Sequence, residues 1–229
     1  MRRGIRALST VLIISGVMLL LDAGLTIAWQ EPVSAIYARI TQNKLKGDLR
    51  DLGKAPVSPA TKRALSRLGK NTGARMAVLA RELKRKVHNG QAIGRIVIPR
   101  IDASYVVVQG TDTASLRKGP GHYPATPFPG LPGTVAIAGH RTTYLAPFRH
   151  VDKLRHGDPI RLEMPYGTFT YRVQYTKIVQ PTALYITKSV GYDRLVLSAC
   201  HPLYSASHRI VVFARLVRKV PEGHARMGS

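Results

Sequence analysis

The chain has 229 residues, 45% of them apolar, enough for one packed domain with an appendage and too many for an intrinsically disordered protein. Thirty-five Lys and Arg against 12 Asp and Glu give a formal charge of +23, so an anionic neighbour is expected: nucleic acid, phospholipid head groups or an acidic wall polymer. The one cysteine, Cys200, excludes an internal disulfide.

Residues 1–30 open with Arg2, Arg3 and Arg6, then run almost wholly apolar from Leu8 to Trp29, broken by Asp22 and a few hydroxyls. That length is close to the roughly 20 residues a spanning helix needs, and Trp29 stands where an interfacial aromatic would anchor it. The reading is a single-pass anchor in the cell membrane with the rest of the chain extracytoplasmic. Its rival is a cleaved signal peptide, because the purely apolar core ends at Leu21 and Thr26-Ile-Ala28 offers small residues to a peptidase. In an oxidising compartment a lone thiol is either buried and inert or reactive.

Residues 31–89 turn basic and small, with Lys44-Leu-Lys46, Ser58-Pro-Ala-Thr-Lys-Arg63 and Arg81-Glu-Leu-Lys-Arg-Lys86. Apart from a short amphipathic helix at Val78–Leu83, no sustained apolar face stands out, and Pro and Gly interrupt the stretch. It reads as a solvated stalk. From about residue 90 the character changes to short β-branched runs between Gly and Pro: Gly94–Pro99, Tyr105–Val108, Thr134–His140, Pro159–Met164, Thr168–Tyr175 with Ile178-Val179, Arg194–Cys200 and Arg209–Leu216. Strict alternation in Ile160-Arg-Leu-Glu-Met164 and Tyr171-Arg-Val-Gln-Tyr175 predicts a mostly β domain over 90–220, a barrel or sandwich. Short helices are expected at Thr113–Lys118 and Ala146–Leu154, and residues 221–229 read as a flexible tail.

Three reactive side chains fall at the edges of these runs. Cys200 closes one, His140 closes another and Arg209 opens a third. A nucleophile, a proton carrier and a permanent cation are what thiol-based acyl transfer requires. A free thiol titrates at about 8.5, so a neighbouring cation would raise its thiolate fraction. The bland alternatives are an inert buried Cys200, a hydrogen-bonded strand-end His140 and a surface Arg209. His201 and His208 match no closed zinc spacing with Cys200 and His140, so neither metal nor cofactor is expected.

These residues sit in a block, Gly94 to Arg218, that resembles a sortase. The matching pieces are Ile96-Val-Ile-Pro-Arg-Ile101, Gly119-Pro-Gly-His-Tyr-Pro124, Gly133-Thr-Val-Ala-Ile-Ala-Gly-His-Arg-Thr142, Leu195-Val-Leu-Ser-Ala-Cys-His-Pro202 and His208-Arg-Ile-Val-Val212, in sortase order. Ala-Gly-His-Arg-Thr and Gly-Pro-Gly-His-Tyr are similar to class E enzymes of actinobacteria. The resemblance implies a closed eight-stranded barrel with short helices and a membrane-anchored cysteine transpeptidase of a Gram-positive cell wall. It implies cleavage of a C-terminal sorting signal between Thr and Gly, then transfer of the Thr carbonyl to a cell-wall amine. The class E likeness implies a Leu-Ala-x-Thr-Gly signal in preference to Leu-Pro-x-Thr-Gly.

The family commonly carries Thr-Leu-x-Thr-Cys, whereas this chain has Val196-Leu-Ser-Ala-Cys200; Ala199 replaces the last Thr and is assigned to substrate contact. Tyr123 is assigned to the signal groove, selecting a small second residue, with a core aromatic as its alternative. The partners implied are sorting-signal proteins, a peptidoglycan-precursor amine and the membrane; no specific nucleic acid is expected, since no stacking module emerges. Two other functions stay open: a Cys/His peptidase that resolves the acyl-enzyme with water, and a non-catalytic basic barrel that binds anionic wall polymer.

Overall fold

The computed structural model describes residues 2–28 and 32–226. Trp29 and the last three residues of the chain lie outside the described residues. Four helices come first: α1 (Arg2–Ala28), α2 (Pro32–Lys54), α3 (Pro59–Arg67) and α4 (Thr72–Lys86). Eight strands follow: β1 (Ala92–Ile98), β2 (Ala103–Gln109), β3 (Gly121–His122), β4 (Thr134–Ala138), β5 (Pro159–Met164), β6 (Gly167–Val179), β7 (Arg194–His201) and β8 (His208–Pro221), with α5 (Thr113–Leu116) between β2 and β3. They close a barrel in the order β1-β2-β3-β4-β7-β8-β6-β5. Two joins, β2–β3 and β4–β7, are parallel; the others are antiparallel.

The seven apolar runs become seven of the strands, and the eighth, β3, is only Gly121-His122, too short to show any period. Alternation carries the barrel interior. Ile160 and Leu162 on β5, Phe169 and Tyr171 on β6, Leu195 and Leu197 on β7, and Ile210 and Val212 on β8 meet in one buried cluster. β7 is buried on its outer face as well, where Val196 packs with Ala136, Val211, Phe213, Val179 and Ile186. Burial on both faces is why β7 reads as an unbroken apolar run. The helix expected at Thr113–Lys118 is α5, capped by Asp112, whose Oδ1 accepts from Ser115 N at 3.0 Å. That expected at Ala146–Leu154 contracts to one 3-10 turn, Val151–Lys153.

Of the stalk that composition suggested for residues 31–89, the described part from Pro32 folds instead into α2, α3 and α4, which pack on the barrel. Met76, Leu79, Ala80 and Leu83 of α4 belong to the barrel's own core cluster, joined by Leu65 of α3. On α2, Leu45 packs with Ala92, Val106 and Val108, while the Gln42 side chain pairs with both backbone groups of Val106 and donates to the Lys118 carbonyl. Polar residues buried within these helix faces hid them from the hydrophobic pattern. Arg75 is the clearest: its guanidinium donates to the carbonyls of Leu65, His224, Ala225 and Arg226. Those contacts also fasten residues 222–226, so this part of the expected tail is docked, with Ala225 fully buried. Among the described residues no helix is long and apolar enough to cross a membrane.

Candidate active site

The parallel join of β4 and β7 sets the site. Ala138 lies opposite Ser198, and the Gly139 N–H donates to the Ser198 carbonyl at 3.0 Å. The strand pairing ends there, and His140 follows Ala138 by two residues as Cys200 follows Ser198. On the other side of β7 the antiparallel register pairs Cys200 with Arg209 of β8. Side chains alternate along a strand. Leu195, Leu197 and Ala199 of β7, with Ile210 and Val212 of β8, fill the interior, whereas Val196, Val211 and Phe213 form the outer cluster. Cys200 and Arg209 therefore share the outer face, and the same alternation from Val135 and Ile137 assigns His140 to it. Register and alternation thus direct the three predicted residues to the same face at neighbouring strand ends.

Cys200 is a free, half-buried thiol. His140 is also half-buried, and its ring packs on Tyr144 with centroids 5.3 Å apart. Burial lowers its pKa, and the charge of Arg117 pushes it the same way. The resting imidazole is thus neutral at pH 7, a proton acceptor before it is a donor. Its Nε2 is buried with no hydrogen-bond partner among the described residues. Arg209 Nη1 donates to the Ala206 and His208 carbonyls at 3.0 Å each, tying the guanidinium to the loop between β7 and β8.

Gly139 is required by its neighbour: a Cβ there would come within 2.5 Å of the Phe148 ring. Beyond His140 the chain turns sharply, with Tyr144, Leu145 and Ala146 all at positive φ (50°, 64° and 42°). Such a run in non-glycine residues is strained and needs outside support. Tyr144 has it: Arg117 lies over its ring, Tyr37 of α2 meets it edge-on, and its N–H donates to Ser34 Oγ at 3.4 Å. The start of α2 thus abuts the histidine loop, a contact that a solvated stalk would not make.

The two predicted substrate contacts part company. Tyr123 is half-buried on the outer cluster, its N–H donating to the Ala136 carbonyl. Ala199 is 3% exposed and belongs to the interior cluster, so its side chain is on the opposite face from the thiol. A residue next to the nucleophile in sequence is turned away from it by strand geometry. Sequence reading passed over Arg141, Tyr144 and Asp152. Arg141 was within reach of it, as a charged residue directly after His140 at the end of an apolar run. Among the described residues no three His, Cys, Asp or Glu side chains gather as a metal site.

Comparison with known proteins agrees with the barrel fold. Residues 96–217, just over half of the chain, match the family described as Sortase domain. The chain is 37% identical over 136 residues to sortase D of Bacillus subtilis (strain 168), a match covering 58% of this chain and 67% of that protein. It is 27% identical over 153 residues to sortase SrtE1 of Streptomyces coelicolor, covering 60% of this chain but only 44% of the relative. The solved structure of sortase E from Streptomyces avermitilis is 36% identical, with a TM-score of 0.54, over 58% of this chain and 93% of that one.

Proposed function

The chain belongs to the sortase family of cysteine transpeptidases, and from that premise we propose that Cys200, His140 and Arg209 transfer the acyl end of a sorting signal to an amine. The observation that supports the assignment is the register: β7 lies between β4 and β8, Cys200 pairs with Arg209, and His140 follows the end of β4 as Cys200 follows its partner Ser198. Neutral His140 takes the thiol proton as the sulfur attacks the Thr carbonyl. Arg209, always protonated, supplies donors to the oxyanion that forms. Collapse of the adduct breaks the Thr–Gly bond, and His140 returns the proton to the departing amine, leaving a thioester on Cys200. The acceptor amine then attacks the thioester and gives a proton to His140, which passes it to the departing sulfur as the C–S bond breaks, restoring the thiol and the neutral imidazole.

Ala136, Val196, Val211 and Phe213 of the outer cluster are already covered by Val179 and Ile186, and half-buried Tyr123 at its edge is the part of it that a signal peptide can meet. Ala136 is four residues before His140, roughly 13 Å along a strand at about 3.3 Å per residue. An extended Leu-Ala-x-Thr segment with its Thr carbonyl at Cys200 has its Leu about 10 Å away and its Ala about 7 Å away. Tyr123 therefore suits the Leu better than the small second residue. The preference for Ala over Pro at that second position rests on the resemblance of the histidine and Gly-Pro-Gly-His-Tyr segments alone.

Membrane attachment through α1 belongs to the same proposal. It is supported by the apolar sequence of residues 8–29 and by large side chains from Leu8 to Leu21 that face solvent.

The test is product analysis by mass spectrometry. A Leu-Ala-x-Thr-Gly peptide incubated with the full chain and diglycine should yield the Thr–diglycine ligation product, and without the amine a thioester on Cys200. Cys200→Ala should give neither. Release of free Thr acid at equal rates with and without the amine would make the protein a peptidase. Cleavage surviving in Cys200→Ala would overturn the acyl-enzyme mechanism.

A further inference from the structure

Arg141 follows His140 in sequence but occupies the other face of the sheet, beneath the nucleophile. β4 ends at Ala138, and Gly139 supplies the last backbone donor to β7, on the Ser198 carbonyl. Carbonyls two residues apart on a strand point the same way, so the next acceptor in that row is Cys200's. The chain has by then turned off, and the His140 carbonyl accepts from Phe148 N instead. A guanidinium stands in for the missing strand: Arg141 Nη1 lies 3.4 Å from the Cys200 carbonyl and 3.3 Å from His201 Nδ1. Because the guanidinium has donors only, that ring nitrogen of His201 is the unprotonated one. At its other end Nη2 reaches Asp152 Oδ1 at 3.0 Å and the Arg149 carbonyl at 3.2 Å, and Nε reaches the same carbonyl at 3.3 Å. The side chain is 3% exposed while Asp152 is 47% exposed, so the cation is buried beside the nucleophile and paired at the rim.

We propose that Arg141 is a positioning residue for acyl transfer, fastening the main chain of Cys200 to the loop that carries His140 so that thiol and imidazole stay in register. The proposal rests on the assignment of Cys200 and His140 given above. A planar fork is suited to it, because acceptors from β7, from Arg149 and from Asp152 are met at once by different nitrogens of one group. A lysine meets one of them at a time. Misplacement of reacting groups by about 1 Å costs on the order of 100-fold in rate, and a change on the inner face leaves the outer face, which carries the thiol, in place. The signature is therefore a loss in kcat with little change in KM.

The experiment compares the full chain with Arg141→Met, Arg141→Lys and Asp152→Ala, normalising each to titrated Cys200 thiol and recording its thermal melt. Arg141→Met, folded, should lose about 100-fold in kcat with KM nearly unchanged, and Arg141→Lys should recover part of the loss. Asp152→Ala frees the rim end without opening a core void and should keep the melt while lowering kcat several-fold. A folded Arg141→Met with wild-type kcat overturns the proposal. If Arg141→Met does not fold, Asp152→Ala decides, and wild-type kcat there overturns it. Should the wild type form no thioester at all, the transpeptidase reading fails separately. Iodoacetamide alkylation of Cys200 then judges Arg141: a several-fold difference between wild type and Asp152→Ala supports the positioning role, and equal rates overturn it.

Discussion

His140 sits beside Arg117 and Tyr144, with no carboxylate partner among the described residues, and this decides the sign of its pH response. Burial is the larger cause of its lowered pKa and Arg117 the smaller, acting beside Tyr144, whose ring it covers. A base must be unprotonated to accept the thiol proton, so kcat/KM should fall on the acid side only below the ordinary imidazole value of about 6.5. Removing the Arg117 charge makes the imidazolium less unfavourable and raises the pKa. Arg117→Gln should therefore move the acid limb of kcat/KM to higher pH; a limb that stays in place or moves down would mean that the Arg117 charge does not act on the catalytic base. Ala199 offers a second test at this scale. Its side chain lies in the packed interior, opposite Ile210 in the β7–β8 register. Ala199→Thr, which restores the usual family residue, should cost about 1–3 kcal/mol through overpacking and a buried hydroxyl. KM for the sorting peptide should hardly change, and a several-fold fall in KM would return Ala199 to the substrate site.

At the scale of elements, the strands were legible because their residues alternate or run apolar between Gly and Pro, and the three reactive residues were legible because each ends or begins such a run. The helices of residues 31–89 were harder to see, although the signal is present. Ala38, Gln42, Leu45, Leu49 and Leu52 repeat at intervals of four, three, four and three, and Met76, Leu79, Ala80 and Leu83 follow the same helical spacing. Gln42 in the first row and the buried Arg75 and Glu82 beside the second break the apolar pattern. Their polar groups are answered by backbone and side-chain partners that no local sequence window contains, such as the carbonyls of residues 224–226 for Arg75. The face of Ala199 was misjudged for a different reason: adjacency to the nucleophile is not proximity on a strand. The packing of α4 has a direct consequence for truncation. Met76, Leu79 and Leu83 are buried, and each contributes about 1.5–3 kcal/mol. Together that rivals the roughly 5–15 kcal/mol of a whole domain. A chain starting at Asn89 should lose its cooperative melt, whereas one starting at Pro32 should keep it. A cooperative, wild-type-like transition in the shorter chain would show α4 to be dispensable.

For the molecule as a whole, the contrast between α1 and everything after it is the main fact. From α2 to α4, each helix buries apolar residues on the barrel, although Ile36 and Ile40 of α2 stay exposed. On α1, Val11, Leu12, Ile13 and Ile14 are four consecutive exposed positions, and Val17 to Leu21 repeats the pattern with five. At about 100° per residue, four neighbours already surround a helix, so no single face could dock on the barrel and satisfy them all. Ten large apolar side chains between Leu8 and Leu21 stand in solvent. At about 1.5–3 kcal/mol each, the cost of leaving them there exceeds the stability of a typical domain. An apolar phase on every side would relieve it, and this is the ground for the proposed attachment to a bilayer, although among the described residues no helix is long and apolar enough to cross one. Arg2, Arg3 and Arg6 at one end are attracted to anionic head groups. The full chain should therefore remain in the membrane pellet through an alkaline carbonate wash that strips peripheral proteins. The chain starting at Pro32 should be recovered in the supernatant, with unchanged kcat on a soluble sorting peptide, because none of the reactive residues lies in α1. Release of the full chain by high salt alone would mean that its hold on the membrane is the +23 charge, and that α1 does not enter the bilayer.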